Sequence, residues 1–158
     1  MKIHSSVFVA DGAKIVGNVK IGKNSSVWFN AVIRSDMNSV VIGEGTNIQD
    51  LCCIHDSVEF PTIIGNNVTV GHSAIIHSAV VEDNALIGMG AIILDGAKVQ
   101  EGALVGAGTV VPPGKVVPKR HLAIGNPMRI LKELSEAEIK SISTNKEHYI
   151  KLSQEYKG

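Results

Sequence analysis

An aliphatic residue recurs every six positions through most of this chain, and that period excludes most folds. The series runs Val9, Ile15, Ile21, Val27 and Ile33, then Ile42, Ile48 and Ile54, then Ile64, Val70 and Ile76. It closes with the unbroken run Val81, Ile87, Ile93, Val99, Val105, Val111 and Val117. Gly often follows the aliphatic, as in Ile21-Gly22, Ile42-Gly43 and Val105-Gly106. Four places beyond the aliphatic the residue is mostly small, as at Ser25, Ala31, Cys52, Ala74, Ala85, Ala91, Ala97 and Ala103. A period of six is too long for an alternating strand and wrong for a helix. It suits short parallel strands wound around a triangular prism, with three hexads per coil. The aliphatic then fills the core and the small residue turns the corner. With 4% aromatic residues, 44% apolar residues and sixteen glycines, the chain has the material for a core of small aliphatic side chains.

Three interruptions break the register: three extra residues between Ile33 and Ile42, four extra between Ile54 and Ile64, and one missing between Ile76 and Val81. The two insertions are expected to be loops, where function tends to sit. After Pro127 the pattern becomes helical. Ser135-Glu136-Ala137-Glu138 is a capping box, and Leu134 and Ile139 are spaced as a hydrophobic staple. Ile139, Ile142, Tyr149, Leu152 and Tyr156 form one stripe of a helix predicted to reach about Tyr156. The expected organisation is a β-helix domain over residues 1–132 and an appended helix over 133–158, packed on the prism or on a neighbouring subunit.

Fifteen basic residues balance fifteen acidic ones, so nothing in the charge advertises nucleic acid or an anionic membrane. The start, MKIHSSVFVADGAK, lacks a basic region followed by a sustained apolar stretch, and no later segment approaches the roughly 20 apolar residues of a membrane span. A soluble, cytoplasmic protein is expected. Cys52 and Cys53 are adjacent and supply no disulfide framework.

Residues at one hexad position, three hexads apart, should stack one strand spacing apart, roughly 4.8 Å. Position two of the hexads opened by Ile33, Ile54 and Ile76 is Arg34, His55 and His77, so these side chains form one outward column. His72 is position three of the preceding hexad and points from another face. A threefold axis would bring the His72 face of one subunit to the His55/His77 face of the next. Three His with an open fourth position make a catalytic zinc arrangement. Single surface histidines are usually solvated, which is the expectation for His4, His121 and His148. Cys52 occupies a corner position, which favours a packed thiol over a ligand. Arg34 is equally suited to an intersubunit ion pair.

The segments Arg34-Ser35-Asp36, Asn47-Ile48-Gln49-Asp50, Ile54-His55-Asp56, Gly71-His72-Ser73-Ala74-Ile75-Ile76-His77 and Gly125-Asn126-Pro127 carry a resemblance, over nearly the full length, to the γ-class carbonic anhydrases and their hexapeptide-repeat relatives. That resemblance implies a left-handed parallel β-helix with a C-terminal α-helix, assembled as a homotrimer. It implies one zinc or iron ion per subunit interface, bound by His55 and His77 of one chain and His72 of its neighbour; His ligation would suit cobalt as well. Arg34 and Asp36 would lie at the interface and bicarbonate pocket, Gln49 would hold the hydroxide, Asp50 would support the interface, and Tyr149 would overhang the site. The substrate would be carbon dioxide or bicarbonate. Active members also carry an acidic loop with a proton-relay glutamate, and no comparable insertion follows Arg34-Ser35-Asp36-Met37-Asn38. Two other functions are compatible with a hexapeptide prism: an acyltransferase using acyl-coenzyme A, which needs one basic His and a cofactor groove, and a non-enzymatic trimeric scaffold.

Overall fold

The computed structural model of the protein describes residues 1–158 and is a left-handed parallel β-helix closed by one C-terminal helix. Each coil contributes short strands to three faces. Strands Ser26–Val27, Asn47–Ile48, Thr69–Val70, Leu86–Ile87 and Leu104–Val105 stack in parallel on one face. The other two faces form one continuous sheet, because the strand Val32–Ile42 runs around the corner between them. Partners are three hexads apart except where an interruption shifts the count: Ile33 lies over Ile15, Ile54 over Ile33, Ile76 over Ile54 and Ile93 over Ile76.

The hexad aliphatics from Ile21 to Val117 are all buried and form the axis of the core. Ala31, Cys52, Ala74, Ala85, Ala91, Ala97 and Ala103 are buried at the corners. At the open N-terminal end the pattern relaxes: Ile15 is half-buried against the core and Val9 is exposed. No full coil lies beneath them to complete their burial.

The first insertion differs from its expectation. It is not a loop but part of the eleven-residue strand Val32–Ile42, paired with Lys14–Ile21 on both sides of a register shift between Gly17 and Val19. Gly17 makes the approach feasible. It has φ +86°, and a Cβ there would fall 1.8 Å from the Ser35 carbonyl oxygen. The second insertion, residues 56–61, is a loop between Cys53–His55 and Thr62–Ile64.

Helix also does not follow directly on Pro127. Arg129–Glu133 first forms an antiparallel strand against His121–Ile124. The helix then spans Glu136–Lys157, with Ser135 as N-cap and both halves of the capping box formed with Glu138. It returns along the prism to the first coils, where Phe8, Trp28, Phe29, Tyr149 and Tyr156 pack as an aromatic cluster. No helix is long and apolar enough to cross a membrane.

Candidate metal centre

Strands Cys53–His55 and Ile75–His77 lie side by side in parallel, with His77 directly over His55 and His55 over Arg34. Because Ile54 and Ile76 point inward and are fully buried, the flanking imidazoles point out. His55 Nδ1 stands 3.3 Å from His77 Nε2. The opposite nitrogens are both committed: His55 Nε2 to Asp36 Oδ1 at 2.9 Å, and His77 Nδ1 to Asp95 Oδ1 at 2.6 Å. A carboxylate only accepts, so those two nitrogens carry the hydrogens. The acceptor lone pairs of the two rings are left facing each other, and only a shared proton or a bound cation reconciles them. Two nitrogens each about 2.05 Å from a tetrahedral zinc would be about 3.3 Å apart. The pair therefore fits the group that the histidine pattern implies.

Arg34 occupies the predicted column, but its guanidinium is turned onto Asp36. The hydrogen bond from His55, helped by Arg34, holds the Asp36 carboxyl below the ordinary carboxylate value. Asp56 is fully buried. Burial works to raise its pKa, but hydrogen bonds donated by the Ser35 hydroxyl and the Asn38 backbone N–H, at 2.7 and 2.8 Å, outweigh it and hold the carboxyl low. Its Oδ1 has no hydrogen-bond partner and lies 3.7 Å from His55 Nε2. Asp36, His55 and Asp56 form the one set of three ligand-type groups whose atoms fall within 4.8 Å of one another. Asp36 is already engaged by both Arg34 and His55, so within that set it acts as a support for the imidazole.

His72 sits on another face, just beyond the strand Thr69–Val70. Its Nδ1 is 2.8 Å from Asp50 Oδ2, one coil below, which leaves its Nε2 free. One chain does not bring His72 together with His55 and His77. Gln49, buried beside Asp50, donates to Asn47 Oδ1 at 3.0 Å and keeps its own amide oxygen available. Tyr149 reaches this side from the helix, edge-on to Trp28 at 5.6 Å between ring centroids. Burial, with a contribution from the Asp50 charge, pushes its phenol above the ordinary tyrosine value. Gln49, His72 and Tyr149 also line one end of a groove of about 590 Å³ between the helix and the prism, walled by Leu86, Leu104 and Ile142.

The remaining histidines lie apart. His4 pairs with Ser6, His121 with the Lys119 carbonyl, and His148 packs against Tyr149. Cys52 is a packed corner thiol whose burial pushes its pKa up to about 12, and Cys53 is exposed. Two carboxylates at the site have no role in the sequence reading: Asp56, which appears there only within the segment Ile54-His55-Asp56, and Asp95. The signal for Asp95 is its place one coil above His77 and one residue off the column.

The chain matches the family models "Bacterial transferase hexapeptide (six repeats)" over residues 1–35 and 78–113 and "Hexapeptide repeat of succinyl-transferase" over 61–94. It is 53% identical to a "Probable carbonic anhydrase" of Methanocaldococcus jannaschii, covering 96% of each chain. It is 49% identical to the "Carbonic anhydrase" of Geobacillus kaustophilus, over 99% of this chain and 86% of that protein. The crystal structure of a hexapeptide transferase family protein from Anaplasma phagocytophilum superposes with a TM-score of 0.95 at 41% identity, covering 98% of this chain and 92% of that one.

Proposed function

Because the chain belongs to the γ-class carbonic anhydrase-like family of hexapeptide-repeat proteins, we propose that it catalyses the reversible hydration of carbon dioxide to bicarbonate at a metal centre shared between subunits of a homotrimer. The observation that carries this reading is the His55/His77 pair: two acceptor nitrogens face each other at 3.3 Å, each backed by a carboxylate. His55 and His77 of one copy and His72 of the next would hold the ion. A divalent metal held there lowers the pKa of water to about 7, which supplies the nucleophile at neutral pH.

The chain's own groups do the rest. Asp36 fixes the tautomer and ring orientation of His55, and Asp50 does the same for His72. The free amide oxygen of Gln49 accepts a hydrogen bond from the attacking group and orients it. Arg34, paired with Asp36 at the rim, supplies positive charge where bicarbonate's negative charge develops. Tyr149 narrows the approach from the helix side.

A second reading, transfer from an acyl-coenzyme A, is favoured by the groove beside His72, which is far larger than carbon dioxide needs. Stopped-flow carbon dioxide hydration separates the two when zinc-loaded, anaerobically iron-loaded and metal-free protein are compared. Turnover that appears only with metal supports the anhydrase. A flat trace from fully loaded protein, together with metal-independent acylation from acetyl-coenzyme A, would overturn it.

A further inference from the structure

We propose that Asp95 is a positioning residue for the metal centre, holding His77 in the tautomer and ring orientation that present Nε2 toward His55. The use made of that nitrogen rests on the metal-centre reading above; the hold on His77 does not. Asp95 Oδ1 lies 2.6 Å from His77 Nδ1, and no other side chain pairs with Asp95. Asp36 differs in this respect, being shared between His55 and Arg34. The aspartate that fixes His77 therefore has a single task.

The backbone shows why Asp95 arrives there. Ser78, directly after His77, and Gly96, directly after Asp95, both take positive φ, at +53° and +71°. The Gly96 N–H donates to the Ser78 carbonyl at 2.7 Å, so the turn carrying Asp95 is seated on the turn that ends the His77 strand. Gly114 N–H donates in turn to the Asp95 carbonyl at 3.0 Å. Pinned from below and above, the Asp95 side chain has a fixed origin over His77. The ring of Phe60, from the loop that follows His55, packs across Gly96 and covers the turn.

All three histidines thus have a carboxylate of their own on the nitrogen that would not bind metal: Asp36 for His55, Asp50 for His72 and Asp95 for His77. A carboxylate there selects the tautomer, stiffens the ring and raises the basicity of the free nitrogen, and losing such a partner typically costs about 10–100-fold in metal affinity. An exposed Asp–His ion pair with no such role would contribute little and leave the imidazole to choose its own tautomer.

Two measurements on the full chain decide between these. In metal-free protein, long-range 1H–15N correlation spectra report the His77 tautomer, with the His77→Gln variant supplying the assignment. The expected wild-type form carries its proton on Nδ1, and Asp95→Ala should release that preference. In the second measurement, chelator competition should show zinc bound about 10–100-fold more weakly by Asp95→Ala, with Asp95→Asn, which keeps an acceptor oxygen, in between. An Asp95→Ala protein with the wild-type tautomer and wild-type zinc affinity would overturn the proposal. Wild-type protein that shows the Nδ1–H form but binds no zinc would sink the metal-centre reading and leave the hold of Asp95 on His77 standing.

Discussion

Asp56 holds the first insertion against the coil that carries the site. It accepts from Ser35, itself buried, and from Asn38, both on the long strand Val32–Ile42. Its folded pKa lies below the ordinary carboxylate value. The stability it contributes is therefore fully present above the unfolded value of about 3.9 and is lost as pH falls through the lower folded value. Asp56→Asn should cost about 1–3 kcal/mol at pH 7, and the gap to wild type should narrow below pH ~4. Urea denaturation at pH 7 and pH 3 measures it; an equal gap at both would show that the ionised carboxylate is not what holds the strand. At this scale the site was half legible. The vertical stack of Arg34, His55 and His77 follows from counting hexads, because strand register carries that information. The carboxylate behind His77 does not follow from that count: the positive-φ turns at Ser78 and Gly96 recur every six residues, but they fix where the backbone turns and not that the Asp95 side chain swings onto His77. Arg34 shows the same limit: its column position was readable, its turn onto Asp36 was not.

A coil of this prism is a thin layer, so each core aliphatic carries much of its layer's burial. Ile87 is fully enclosed and belongs to the unbroken hexad run from Val81 to Val117. Ile87→Asp would place an unpaired carboxylate among Val70, Val105 and their neighbours and should yield no folded protein. Ile87→Val, which removes one methylene, should fold and cost about 0.5–1.5 kcal/mol. Circular dichroism and chemical denaturation of the pair test the inward register, since an outward residue 87 would tolerate both changes. The glycine that follows is constrained by the same stacking: a Cβ on Gly88 would lie 2.6 Å from the Ala107 backbone nitrogen, so Gly88 must stay bare for the coils to close. These element-level features were the most legible in the sequence because a core position and a corner repeat in every hexad. The fate of the first insertion was not. Whether three extra residues loop out or stay within a strand depends on the facing strand, and here Lys14–Ile21 pairs with Val32–Ser35 before them and with Val40–Ile42 after them.

At the scale of the whole molecule, the proposed metal centre would draw its ligands from two copies of the chain. His55 and His77 open onto one face and His72 onto another, and one chain leaves His72 outside any close cluster with them. Beside the His column, Val32, Cys53 and Ile75 stack in register with their side chains exposed, an apolar ladder suited to contact with a neighbour. If each site takes His55 and His77 from one subunit and His72 from the next, His72→Ala and His77→Ala homotrimers should each lose all zinc sites, for opposite reasons. Mixed trimers should not. A His72→Ala chain still offers His55 and His77, and a His77→Ala chain still offers His72, so an interface with the two in the right order is whole. Random assembly of equal amounts puts the competent donor on each side half the time, restoring about one quarter of the sites. Co-refolding the two variants and measuring zinc per trimer tests this count. Recovery near one quarter, absent from either variant refolded alone, would require ligands from two chains. No recovery, from trimers shown to contain both variants, would mean that a single chain supplies the whole site, and the two-face division of the histidines would then need another cause.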